Sequence, residues 1–157
     1  MSETLENKRI LFVFGTRPEA IKLAPIIREV ESIPQFESFT CATAQHREML
    51  DQVLDTFTIL PDYDLDIMQS YQSPLEVAGF IFQSLQPVLE EVDPDWVVVQ
   101  GDTTTAFASA WTAFHFGCRV AHVEAGLRTG DIYKPFPEEM NRKLIGSLAS
   151  VHFAPTE

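Results

Sequence analysis

Asp102 and Glu124 each stand at the end of a short apolar run, Trp96 to Val99 and Val120 to Val123 respectively. A carboxylate at the end of a buried strand leaves the core where a cleft opens, so it is placed to move a proton or to hold sugar hydroxyls. Each also has a structural reading. Asp102, or one of the threonines 103–105, caps a following helix; Glu124 pairs with Arg128. Gly15-Thr16-Arg17-Pro18-Glu19 follows the apolar run 10–14 and precedes helical spacing. A glycine turn feeding a helix N-terminus offers amides and the positive end of the dipole to an anion. Arg17 adds donors suited to phosphate, and Lys22 lies about one helical turn later. The run is neither GxGxxG nor a Walker loop, so neither a dinucleotide nor ATP is indicated. Its structural reading is a plain strand–helix turn with a surface arginine.

Further along, Glu138 and Glu139 open a helix, where acidic side chains favour the dipole. Glu138–Arg142 and Glu139–Lys143 fit i,i+4 pairing. Asn141 shares a face with Ile145 and Leu148, so it is expected to hydrogen-bond something specific. Gln45-His46-Arg47-Glu48 is either a polar contact set for a sugar or phosphate, or a solvated helix start. His115, His122 and His152 have no metal-ligand spacing and read as packed or surface side chains. Asp62, Asp64 and Asp66 alternate, and read as a solvated edge rather than a cation site. No metal site is expected.

These residues need elements to position them. A continuous apolar run at 10–14, an apolar-flecked one near 36–43 and short ones at 96–99, 120–123 and 151–154 read as strands of a buried parallel sheet, with a short edge strand near 65–68. Helical spacing follows Pro18. A helix covers 45–54. Ser73-Pro74-Leu75-Glu76 begins another with a capping box, and Asp93-Pro94 ends it. A small-residue helix ends at Gly117, and a last one runs from Pro137 to about Ala149. Alternating strands and helices give an open parallel α/β sheet. The turns 15–19, 101–105 and 124–130 should share one rim of it.

Composition bounds the partners. The chain has 157 residues and a formal net charge of -12, from 23 acidic and 11 basic residues. That length suits one domain. That charge argues against a nucleic-acid partner. The polar, acidic N-terminus lacks a signal-peptide pattern, and no stretch is long and apolar enough to span a membrane, so a cytoplasmic location is expected. Cys41 and Cys118 read as two buried thiols.

Five segments in order carry a specific resemblance. They are 13–22 (VFGTRPEAIK), 43–50 (TAQHREML), 101–105 (GDTTT), 122–129 (HVEAGLRT) and 137–142 (PEEMNR). Together they resemble the non-hydrolysing UDP-N-acetylglucosamine 2-epimerases. The resemblance implies a GT-B-like fold, with two Rossmann-like domains across a cleft. Residues 1–157 would be the three-layer N-terminal domain, without its C-terminal nucleotide-binding partner. It implies a cytoplasmic homodimer acting on UDP-N-acetylglucosamine and UDP, and interconversion with UDP-N-acetylmannosamine. The route is elimination of UDP to 2-acetamidoglucal and re-addition on the other face, with no nicotinamide, flavin or metal. Asp102, Glu124 and Glu138 match the family's essential carboxylates. Arg17 matches a residue near the diphosphate, and Lys22 another active-site position. Gln45, His46 and Glu138 match positions near a second, activating UDP-N-acetylglucosamine. Some members have glutamine in place of Glu48 and arginine in place of Tyr71. Rival readings are a GT-B glycosyltransferase, a hydrolysing 2-epimerase, an epimerase of a modified UDP-sugar and a non-catalytic module.

Overall fold

A computed structural model describes residues 7–44, 47–67 and 72–156. Its first strand, β1 (Lys8–Phe14), is buried from Ile10 onward. Side chains alternate between the two faces of a strand. Leu11 and Val13 therefore join one core, while Ile10, Phe12 and Phe14 join another. Both faces of this strand are apolar, as a central parallel strand requires. β2 (Phe36–Ala42), β3 (Tyr63–Asp64), β4 (Trp96–Gln100), β5 (Arg119–Val123) and β6 (Val151–Phe153) complete a sheet in the order β3-β2-β1-β4-β5-β6. Every pairing is parallel.

From β1 the chain winds outward through β2 to β3, then returns and winds the other way from β4 to β6. Right-handed crossovers in opposite directions put their helices on opposite faces. Accordingly α1 (Arg17–Glu31) and α2 (Arg47–Phe57) pack on one side. α3 (Pro74–Val92), α4 (Thr104–Phe116) and α5 (Glu138–Leu148) pack on the other. The winding direction reverses between β1 and β4. At such a switch point two neighbouring βα turns part and leave a crevice at the strands' C-terminal ends.

Helix ends follow the sequence signals. Ser73 Oγ accepts from Glu76 N at 3.3 Å, and the Glu76 carboxylate accepts from Ser73 N at 2.8 Å. Asp93 ends α3 in the left-handed region at φ 47, and Gly117 ends α4 at φ 87. Three expectations need correction. The edge strand lies at Tyr63–Asp64 instead of 65–68. Asp62 fixes it there by accepting from Thr40 N and Oγ1 at 2.7 and 2.8 Å, and the backbone turns at Asp66 with φ 44. Asp62 is thus a partner of β2 as well as an exposed residue of the charged edge. The helix expected at 45–54 is α2, Arg47–Phe57, and Gln45 lies outside the described residues. Of the two free thiols Cys41 is buried, with burial and Asp64 pushing it up to about 12, whereas Cys118 is only half-buried.

Candidate functional site

The crevice at the switch point is a cleft of about 210 Å³ lined from four elements. The turn after β1 and the start of α1 give Thr16, Glu19 and Lys22. The end of β4 and its turn give Gln100, Asp102 and Thr103. Glu124 enters from the end of β5, and Arg142 from α5. The three turns expected to share a rim do so.

Glu124 sits at φ 63, a conformation in which a residue with a Cβ is uncommon. Its carboxylate accepts from both Lys22 Nζ and Gln100 Nε2. Lys22 therefore reaches the cleft and takes the ion-pair place that the sequence offered to Arg128. Arg128 instead donates to the Leu127 carbonyl at 2.7 Å. Asp102 is half-buried. Its ordinary carboxyl value is raised by loss of solvent, opposed by the Arg142 charge and pushed further up by Glu138 and Glu124. Asp102 does not cap α4. Thr103 does, accepting from Ala106 N at 2.9 Å.

The peptide around Asp102 is held from three directions. His122, on β5, meets the Gly101 carbonyl through Nε2 at 2.7 Å. Burial lowers its proton affinity, so a neutral ring donating Nε2–H fits the contact. Asn141 Nδ2 donates to the Asp102 carbonyl at 2.9 Å, the specific partner its position demanded. Thr103 Oγ1 donates to Glu19 at 2.6 Å.

Glu19 changes the reading of the glycine turn. It is fully buried and accepts from Gly15 N and Thr16 N at 3.0 and 2.7 Å. The chain's own carboxylate thus occupies these two amides, which the sequence offered to a phosphate. Thr16 and Glu19 thus form the capping box that starts α1, with the Glu19 carboxylate on the Thr16 amide. Arg17 is exposed on the first turn of α1 and does not line the cleft. Glu138 opens α5 near enough to raise Asp102, with Oε2 buried and unpartnered, yet it too is absent from the lining. Arg142 lies 3.0 Å from Glu139, i to i+3, and 3.5 Å from Asp102, which replaces the expected Glu138 pairing. Gln45 and His46 fall outside the described residues. Among the described residues no group of three His, Cys, Asp or Glu is arranged to hold a metal ion.

A family model described as UDP-N-acetylglucosamine 2-epimerase matches residues 28–157. The chain belongs to the UDP-N-acetylglucosamine 2-epimerase family. It is 58% identical over 149 residues to the UDP-N-acetylglucosamine 2-epimerase of Salmonella typhimurium, covering 95% of this chain and 40% of that protein. The crystal structure of the Neisseria meningitidis epimerase bound to UDP-GlcNAc superposes with a TM-score of 0.89 at 55% identity, over 94% of this chain and 40% of that one. The Methanocaldococcus jannaschii epimerase, in complex with UDP-GlcNAc and UDP, gives 0.87 at 38% identity, again over 94% and 40%. The chain thus spans about 40% of the length of these relatives. Its sheet has the Rossmann-like, three-layer architecture of a GT-B N-terminal half, as the motifs implied.

Within this epimerase-family cleft, Glu19, Gln100, Thr103 and Arg142 are lining residues that the sequence reading did not select. Glu19 had a legible signal, since Thr16-x-x-Glu19 is the same helix-start pattern read at Ser73. Gln100 and Arg142 had none. Gln100 meets Glu124, and Arg142 meets Asp102, only where the fold brings separate elements together.

Proposed function

We propose that this chain is the sugar-facing half of a UDP-N-acetylglucosamine 2-epimerase that interconverts UDP-N-acetylglucosamine and UDP-N-acetylmannosamine. The observation that carries the reading is the convergence of Asp102, Glu124 and Lys22 in one cleft at the switch point. The proton at C2 of the sugar is not acidic. Its removal needs a positioned base and a good leaving group, and UDP is one. Asp102 keeps a carboxyl that gains a proton more readily than an ordinary aspartate. Glu124 is paired with a lysine and an amide. Two carboxyl groups in such different surroundings suit proton removal on one face and delivery on the other. Glu138, beside Asp102, is the third acid of the set. Lys22 offers positive charge to the departing diphosphate, and Arg17, exposed on the first turn of α1, is proposed as a second cationic contact. The elimination yields 2-acetamidoglucal and UDP, which recombine without a redox cofactor. The partners proposed for the longer protein are UDP-N-acetylglucosamine, UDP and a second subunit, in the cytoplasm. Consistent with that, no described helix is long and apolar enough to cross a membrane. Gln45, His46 and Glu138 are proposed to face an activating second UDP-N-acetylglucosamine.

The test joins this chain to the remaining length found in its relatives and follows UDP-N-acetylglucosamine by NMR in heavy water. Deuterium at C2 together with the manno epimer is the expected outcome. Release of free N-acetylmannosamine would point to the hydrolysing relative, and a requirement for a sugar acceptor to a glycosyltransferase. Either would displace this proposal.

A further inference from the structure

Arg142 stands between two carboxylates. Its Nε is 3.5 Å from Asp102 Oδ2, and its Nη2 is 3.0 Å from Glu139 Oε2. Its side chain is 9% exposed and that of Glu139 is fully buried. Both nitrogens are within ion-pair reach, yet neither is aligned for a hydrogen bond. The guanidinium is therefore shared instead of forked onto one partner. A forked guanidinium would fix Asp102 as a carboxylate, because charge and two directed donors both favour the ionised form. Glu139 is tied independently, accepting from Thr129 N at 3.2 Å. Burial alone would raise the Glu139 carboxyl. The Thr129 amide and the Arg142 charge outweigh that and hold it below its ordinary value.

We propose that Glu139 is a positioning residue acting through Arg142: by holding part of the guanidinium, it leaves Asp102 free to take up and release a proton. The functional meaning rests on the reading of Asp102 as a proton-transfer group, but the effect on Asp102 is measurable without any reaction. The other charges facing Asp102 are already committed. From α1, Lys22 is paired with Glu124, and Glu19 is occupied by two amides and Thr103. From β5, His122 is held toward its neutral form. From α5, Glu138 adds only repulsion. The divisible charge is that of Arg142.

The experiment is a carbon-13 carboxyl NMR titration of Asp102 in the wild-type chain, in Glu139→Gln and in the double variant Glu139→Gln, Arg142→Gln. In Glu139→Gln the whole guanidinium turns to Asp102, and the midpoint should fall by about one pH unit, a tenfold loss of proton affinity. Removing Arg142 as well should raise it above the wild-type midpoint. A Glu139→Gln midpoint that stays or rises overturns the proposal. So does a double variant as low as the single one, since Glu139 would then act by direct repulsion and not through Arg142. The double variant carries no buried unpaired charge. If Glu139→Gln alone fails to fold, the double variant still decides, and a midpoint no higher than wild type overturns the proposal. These midpoints do not depend on turnover. An inactive full-length protein with the expected midpoints would defeat the epimerase reading and leave this one standing.

Discussion

Asp102 shows how one side chain acquires chemistry from its surroundings. Desolvation and two neighbouring acids pull it toward the protonated form, and one guanidinium pulls the other way. In the longer protein Asp102→Asn should abolish turnover with little change in folding, because shape and hydrogen bonding nearly persist while proton transfer does not. C2 deuterium exchange and thermal melting measured on the same sample check this, and near-normal turnover would remove Asp102 from the mechanism. Glu19 makes a different statement. Burial raises its carboxyl despite four opposing hydrogen-bond effects. A carboxyl raised on folding adds stability below its unfolded value, and loses it as pH rises through the raised folded value. Glu19→Gln cannot ionise. As pH rises above the ordinary carboxylate range the variant should therefore gain stability relative to wild type, read as converging or crossing urea midpoints. A difference that widens in favour of wild type with rising pH would contradict this. Asp102 was legible as a site residue, and Glu19 only as part of a helix start. What each does was not, because Glu19 and Asp102 differ through partners 84 and 40 positions away, Thr103 and Arg142.

The helix starts were legible because they are made within a few residues. Ser73, Pro74 and Glu76 could be placed from sequence because every group they bond lies within one turn. Ser73→Ala should cost about 1 kcal/mol, as loss of an exposed cap does. Thr103 has the same capping role but also donates to Glu19 across the fold. Thr103→Val should cost more than Ser73→Ala, and Thr103→Ser should restore most of the difference. Urea unfolding of the three variants measures it. Equal losses at 73 and 103 would mean that the Glu19 contact adds nothing. The missed edge strand follows the same logic. Asp62 looked like part of a solvated run, and its partner Thr40 lies 22 residues back on another strand.

For the whole molecule, the winding reversal between β1 and β4 decides where the cleft lies, and it opens at one rim of a single sheet. Elimination passes through a reactive glycal and separated UDP, which must be kept together for re-addition. Residues 1–157 by themselves are therefore expected not to epimerise UDP-N-acetylglucosamine. C2 deuterium incorporation at a rate proportional to this purified chain would prove that expectation wrong. By itself the sequence determined the alternation of strands and helices, the rim that carries the functional turns, and the candidates Asp102, Glu124 and Lys22. Apolar runs, caps and glycine turns are local, and parallel strands force their connections to one pair of faces. Only the tertiary structure decided the pairings. Glu19 took the amides that the sequence offered to phosphate, Lys22 displaced Arg128 at Glu124, and Arg142 came to rest between Asp102 and Glu139. For Lys22 with Glu124 and for Arg142 with Asp102 the physical reason is distance along the chain, whereas Glu19 reaches its two amides within one helical turn. A charge buried beside a strand end settles on whichever opposite charge the fold brings within a few ångströms, and apart from the α5 neighbours Glu139 and Arg142 those charges come from elements that never meet in sequence.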